Sequence, residues 1–148
     1  MELTCLKHQF QKSVQLADKN TNHQNTNPVL TGVFLEAEKN HLLIRSTDLY
    51  SGFETKIPAQ VKKEGKIVIP AKPLISILSS LSDEKINLES KDNNIYLTTK
   101  NTSTTLKSYN YEDFPKLPKI KNSQKITFKT DKLFLNLNQK NKFLLHQK

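Results

Sequence analysis

Two stretches of this chain repeat their apolar residues at helical spacing, while much of the remainder repeats at every second position. That alternation of period limits the fold more than any single motif does. Leu6, Phe10, Val14 and Ala17 form one stripe, on a helix expected from Leu6 to Lys19 that follows a short strand at Met1–Thr4. His8, Lys12, Gln15 and Lys19 recur on the opposite face. A second stripe, Leu74, Ile75, Ile77, Leu78 and Leu81, opens at Pro70-Ala71-Lys72-Pro73, where proline is tolerated only in a first turn. Ser76, Ser79, Ser80 and Asp83 face water on that helix.

Between and after the helices the period is two. Val33, Leu35 and Ala37 alternate with Phe34, Glu36 and Glu38, Lys39–Asn40 turns the chain, and His41–Thr47 returns as the second arm of a hairpin. Phe53–Val61 and Lys66–Ile69 read as strands separated by Lys62–Gly65. Lys85–Glu89, Ile95–Lys100 and Thr104–Tyr109 read as three more, with turns at Lys91–Asn94 and Asn101–Ser103 rich in Asn, Asp and Ser. Asn20–Asn27 has no apolar member and reads as an exposed loop. The expected class is α+β, an antiparallel sheet with two amphipathic helices on one face. Tyr109–Pro118, with two prolines and two acids, reads as the connector leaving that domain.

Charge is unevenly spread. The formal net charge of the 148 residues is +9, and Arg45 is the only arginine among 23 cations. Residues 1–114 carry 14 cations and 13 acids, whereas residues 115–148 carry nine lysines and the single acid Asp131. Such a tail attracts polyanions, although the 14 asparagines beside the lysine excess are also what an A/T-rich coding sequence produces. Apolar runs are only a few residues long, against the about 20 that span a bilayer. Met1–Phe10 is polar where a secretory signal is apolar. The expectation is a soluble, cytoplasmic protein without a membrane partner.

Enzyme chemistry finds no purchase in the residues. His8, His23, His41 and His146 have no metal-ligand spacing, and three glycines are too few for a phosphate-cradling loop. The neighbouring carboxylates Asp83-Glu84 and Glu112-Asp113 read as solvated loops. Cys5, with His8 three residues on, reads as a small buried apolar residue rather than a nucleophile, and a lone cysteine makes no internal disulfide. No cofactor is expected, and no catalysis.

Taken in order, four segments carry a resemblance: Pro28-Val29-Leu30 before the hairpin, Ser46-Thr47-Asp48-Leu49 after it, Ile69-Pro70-Ala71-Lys72 at the second helix, and Tyr111-Glu112-Asp113-Phe114-Pro115-Lys116-Leu117. Their spacing resembles the bacterial sliding clamp, the beta subunit of DNA polymerase III, from Met1 to about Lys129 and weakly beyond. The resemblance implies a DNA-clamp fold with turn and capping roles for these segments. It divides the chain into an N-terminal clamp domain at 1–118 and, at 119–148, a connector and the truncated start of a second domain. In that second part Lys125–Lys129 reads as a strand, Thr130-Asp131 as a cap, and Leu133, Phe134 and Leu137 as a helix face, frayed or loosely docked without its sheet.

The resemblance further implies a mechanism without catalysis. Family members have three similar domains, two protomers close head to tail around double-stranded DNA, and the ring tethers the polymerase, so processivity comes from topology. Weak, sequence-independent phosphate contacts suit sliding. By resemblance the DNA contacts of this domain fall on Gln24 and Lys72, joined by His8, Lys12 and Lys19 on the first helix. The ring-closing edge strand maps to Thr104–Ser108, where Leu106 stays apolar and Thr104 replaces a large apolar residue. The cleft for polymerase III subunits and the clamp loader belongs to domains beyond this sequence, and ring closure needs the third domain. Two other readings compete. One is a stand-alone basic nucleic-acid-binding module using the lysine-rich 115–148 tail; the other is a protein-interaction domain that adds a strand at the 104–109 edge.

Overall fold

A computed structural model describes residues 1–22, 27–82 and 84–116. The chain divides into the units Met1–Leu117 and Pro118–Lys148, and the fold below is that of the first. The strand and helix expected at 125–129 and 132–148 lie outside the described residues.

The described elements run β1 (Glu2–Leu6), α1 (Lys7–Asp18), β2 (Gly32–Glu38), β3 (His41–Thr47), β4 (Gly52–Lys63), β5 (Gly65–Pro70), α2 (Ala71–Ser80), β6 (Lys85–Lys91), β7 (Asn94–Thr98) and β8 (Ser103–Lys107). Short 3-10 turns at Pro28–Thr31 and Tyr111–Asp113 precede β2 and follow β8. The order is one strand, one helix and three strands, twice over. All eight strands form one antiparallel sheet in the order β5-β2-β3-β4-β1-β6-β7-β8. The α+β reading, with two amphipathic helices on one face, stands.

Pairing ties the two halves together reciprocally. β1 pairs with β4 of its own half and with β6 of the other. β5 pairs with β2 of the other half, and the chain just past β8 reaches its free side, where the Tyr109 N–H donates to the Val68 carbonyl at 2.8 Å. β4 serves both sides: residues 52–58 pair with β3 and residues 59–63 with β1. Pro58, which cannot donate to a ladder, sits where the strand changes partners. The strand therefore continues to Lys63, past the turn expected from Lys62, and only Glu64 separates it from β5.

One core holds both helices against the sheet. Phe10, Val14 and Ala17 from α1 and Ala71, Leu74 and Leu78 from α2 are fully buried with Leu3, Val33, Leu35, Leu42, Ile44, Ile69, Ile86, Leu88 and Ile95. The apolar residues of β2, β6 and β7 enter this cluster at every second position, as the period predicts. The helix starts need no side-chain caps. β1 runs directly into α1, and the first free amide, Lys7 N–H, donates to the Glu84 carbonyl at 2.8 Å. The β6–β7 hairpin turns on Asp92 and Asn93, both with positive φ (50° and 58°), a conformation these residue types tolerate.

Two expectations are corrected on the outer side of the sheet. β2 does not alternate between core and solvent, because Phe34 and Glu36 are buried as well. Covering Phe34 is the segment expected to be a connector: Phe114 packs on it with ring centroids 5.1 Å apart, in a second small cluster with Val29, Val68 and Tyr109. Residues 109–114 thus close the domain rather than leave it. Glu36 is held there by Lys66 Nζ at 2.9 Å and by Arg45 at 3.5 Å, and Arg45 also binds Glu54 at 2.7 Å. The Glu36 carboxylate beside it raises the affinity of Lys66 for its proton.

Candidate nucleic-acid interface

The outward face of α1 is the site's main element. Phe10, Val14 and Ala17 pin the helix to the core, which leaves His8, Lys12 and Gln15, with Lys19 at the C-cap, exposed. From His8 to Lys19 the row rises by eleven residue steps, about 16 Å. The far end of α1 is fixed by the Ser46 hydroxyl, which donates to the Ala17 carbonyl at 2.6 Å inside the protein. The site is thus a rigid row whose only flexible parts are its side chains.

Lys72 stands apart from that row. It is exposed in the first turn of α2, and the two helices touch nearer α2's other end, where Gln11 Nε2 donates to Ser79 Oγ at 3.1 Å. Lys72 lies about two turns from that contact, roughly 10 Å along the axis. Gln24 and its neighbour His23 fall outside the described residues. Thr104 and Leu106 sit half-buried on β8, opposite the core residues Leu97 and Ile95, and Leu106 packs on the main core. Among the described residues no strand pairs with the outer side of Ser103–Lys107.

The segment 46–51 is built as a tight loop. Thr47 Oγ1 accepts from the Leu49 amide at 3.0 Å and donates to the Ser51 carbonyl at 2.7 Å. Asp48 Oδ1 accepts from the amides of Tyr50 (2.9 Å) and Ser51 (2.6 Å), which holds its carboxyl below the usual carboxylate range. Ser46, Thr47 and Asp48 therefore do the capping and turn work expected of them. Cys5 is buried, and burial pushes its thiol up to about 12, so it is no nucleophile at neutral pH. Among the described residues no cluster of three or more His, Cys, Asp or Glu is placed to hold a metal ion. No helix among them is long and apolar enough to cross a membrane.

The assembled layers partition the charge of the domain. Lys7, Lys12, Lys19 and Lys72 lie on the helices or their cap, against the single acid Asp18, a net +3. Residues 1–114 as a whole sum to only +1, so the strands and loops carry about −2. Asp18 itself accepts the Thr21 hydroxyl at 3.2 Å. The signal was available in the sequence once acids were counted by element rather than by segment.

Residues 1–118 match the family model for the DNA polymerase III beta subunit, N-terminal domain. The chain belongs to that family. Its sequence is 30% identical over 129 residues to the beta sliding clamp of a Synechocystis species, covering 81% of this chain and 33% of the relative. In fold it is similar to the DNA polymerase III beta chain of Streptococcus pneumoniae, with TM-score 0.84 at 21% identity over 93% of this chain and 38% of that one. It is also similar to the Helicobacter pylori beta clamp solved with a DNA ligase peptide, with TM-score 0.76 at 25% identity over 81% of this chain and 34% of that one. The chain spans about a third of the length of the clamps it matches.

Proposed function

We propose that this domain is the N-terminal third of a cytoplasmic, non-catalytic sliding clamp, in which two protomers joined head to tail encircle double-stranded DNA and confer processivity on the replicative polymerase in DNA replication. The observation that carries the reading is the exposed α1 face, a row of His8, Lys12, Gln15 and Lys19 with no acid among them, on a domain of the beta-clamp family. Sliding needs attraction without a fixed register. Lysines on mobile side chains supply it as point charges, and glutamine and histidine add hydrogen bonds that no base sequence dictates. Lys72 contributes a separate phosphate contact, and Gln24 is assigned one by family position.

In this reading residues 1–118 form the first clamp domain, residues 119–148 begin the second, and β8 closes the ring through Thr104 and Leu106. Polymerase III subunits and the clamp loader engage parts of the protein outside this domain.

A salt titration of duplex binding tests the helix face. Each phosphate neutralised contributes about 0.9 to the slope of log K against log salt, so Lys12→Ala with Lys72→Ala should lower the slope by about 1.8 with unchanged thermal unfolding. An unchanged slope refutes the DNA-facing role. If deleting residues 115–148 instead removes the whole affinity, the lysine-rich tail is the binding element.

A further inference from the structure

Among the described residues, Leu16, Leu49, Tyr50 and Tyr111 are the large apolar side chains left exposed, and three of the four lie on two segments that one hydrogen bond joins. Leu16 lies on α1 one turn before Asn20. The Asn20 side-chain oxygen is 3.2 Å from the Ser51 hydroxyl, and Leu49 and Tyr50 immediately precede Ser51 at the tip between β3 and β4. Tyr50 is 97% exposed, so its ring is almost wholly free. The tip that presents it is stiff. Asp48 holds the amides of Tyr50 and Ser51, Thr47 ties Leu49 to Ser51, and Leu49 adopts φ 77°, a left-handed conformation that a leucine avoids.

Two lysines stand on the α1 side of this tip. Lys12 is one turn before Leu16 and Lys19 just under one turn after it, and both are exposed. The two nearest acids have local partners: Asp48 accepts from the amides of Tyr50 and Ser51, which keeps it ionised, and Asp18 accepts the Thr21 hydroxyl. Three apolar side chains fall well short of the about 800 Å² per partner of a standard protein interface. A lone projecting aromatic flanked by lysines is instead the arrangement that stacks an unpaired base while the cations hold its phosphates. Duplex DNA offers no such face, because its bases already stack on each other.

We propose that the β3–β4 tip is a stacking site for unpaired bases of a single-stranded nucleic acid, with Tyr50 as the platform, Leu16 and Leu49 as its apolar surround, and Lys12 and Lys19 as phosphate contacts. This rests on the DNA-facing reading of α1 and adds to it a site for single strands.

Fluorescence anisotropy with labelled oligothymidylate of about 20 nucleotides and a mixed-sequence duplex of similar length tests it on the whole chain. Tyr50→Ala should weaken oligothymidylate binding about 5- to 150-fold. Tyr50→Phe, which keeps the ring, should stay within about twofold of the parent, and both variants should leave duplex affinity unchanged. No binding of oligothymidylate, equal binding by parent and Tyr50→Ala, or an equal loss on duplex overturns the proposal. So does light scattering in which Tyr50→Ala only dissociates a self-associated chain. Running Lys12→Ala with Lys72→Ala alongside separates the two readings. An unchanged duplex slope in that pair, with Tyr50→Ala still weakening oligothymidylate, removes the duplex-facing role and leaves the tip standing.

Discussion

Gly32→Ala sets two stabilising rules against each other, and the structure decides the sign. Gly32 has φ −104° and ψ 165°, extended backbone that any residue adopts, so it is not a conformational glycine. On chain entropy alone, alanine there would add about 0.4–1 kcal/mol by stiffening the unfolded state. Space says otherwise. A Cβ at this position would lie 2.8 Å from Val68 Cγ1, 3.0 Å from the Ile69 carbonyl oxygen and 3.3 Å from the Val29 carbonyl oxygen. Val68 is fully buried, and the Ile69 carbonyl belongs to β5 where it runs in register with β2, so neither yields freely. Overpacking of this kind costs about 1–3 kcal/mol, which leaves a net loss of about 1–2 kcal/mol after the entropy gain. At about 2.1 cal/mol/K of unfolding entropy per residue over the unit Met1–Leu117, the melting temperature should fall by about 4–8 °C. Thermal unfolding followed by circular dichroism reads this directly. Gly65→Ala is the milder comparison, since the three atoms nearest its Cβ would all belong to Met1 and none would be closer than 3.1 Å. Adding Val68→Ala to Gly32→Ala should cost less than the two single changes summed. A melting temperature that holds or rises in Gly32→Ala refutes the steric argument.

Two further outcomes test the core. Phe10→Ala removes a fully buried ring from the main cluster and should cost about 3–5 kcal/mol, while Leu16→Ala, on the same helix but exposed, should stay within about 0.5 kcal/mol; urea midpoints distinguish them, and equal effects would mean the helix register is wrong. Cys5 should resist alkylation in the folded protein at pH 8 and react once urea unfolds it, because burial keeps its proton in place up to about 12. The folded thiol holds its proton while the unfolded one releases it above about 9, so this contribution to stability is present below pH 9 and is lost as pH rises toward 12. Between pH 8 and pH 10 the parent should lose about 1.4 kcal/mol more than Cys5→Ala, and parallel pH profiles would count against a buried thiol.

Periodicity carried most of this fold because each element has one face in a single core. His41–Thr47 is the same strand in sequence and structure, and α1 departs from expectation by one residue at each end. What period could not reveal was contact from a distant segment. Nothing local to β2 says that Phe34 will be covered, since the residue that covers it, Phe114, lies 80 positions away inside a stretch that reads as linker. Gly32 was opaque for the same reason: its constraint is Val68, brought alongside by the β2–β5 pairing. The helix face of His8, Lys12, Gln15 and Lys19 was legible because exposure follows from the stripe opposite. The Leu49–Tyr50 tip was not, since an apolar pair after a strand reads equally as core until the loop's hydrogen bonds are known.

The two units of strand, helix and three strands differ where the proposed function would have them differ. Each helix must bury one face against the same sheet, so that face is constrained alike in both. The outward faces are free, and they diverge. α1 exposes His8, Lys12 and Gln15, and α2 after Lys72 exposes Ser76, Ser79 and Ser80. Any of those seven exposed positions could hold an acid without burying it, yet Asp18 is the only acid on either helix, and it accepts the Thr21 hydroxyl. The sheet side shows no such avoidance: Glu2, Glu36 and Glu54 each pair with a cation there. A lysine-rich coding bias would add cations to both layers and would not remove acids from one. Exclusion of acids from the helix layer is therefore the stronger argument for a polyanion on that side, and it predicts that Ser76→Glu with Ser79→Glu weakens duplex binding without loss of folding. Unchanged affinity in that pair would confine the DNA-facing surface to α1.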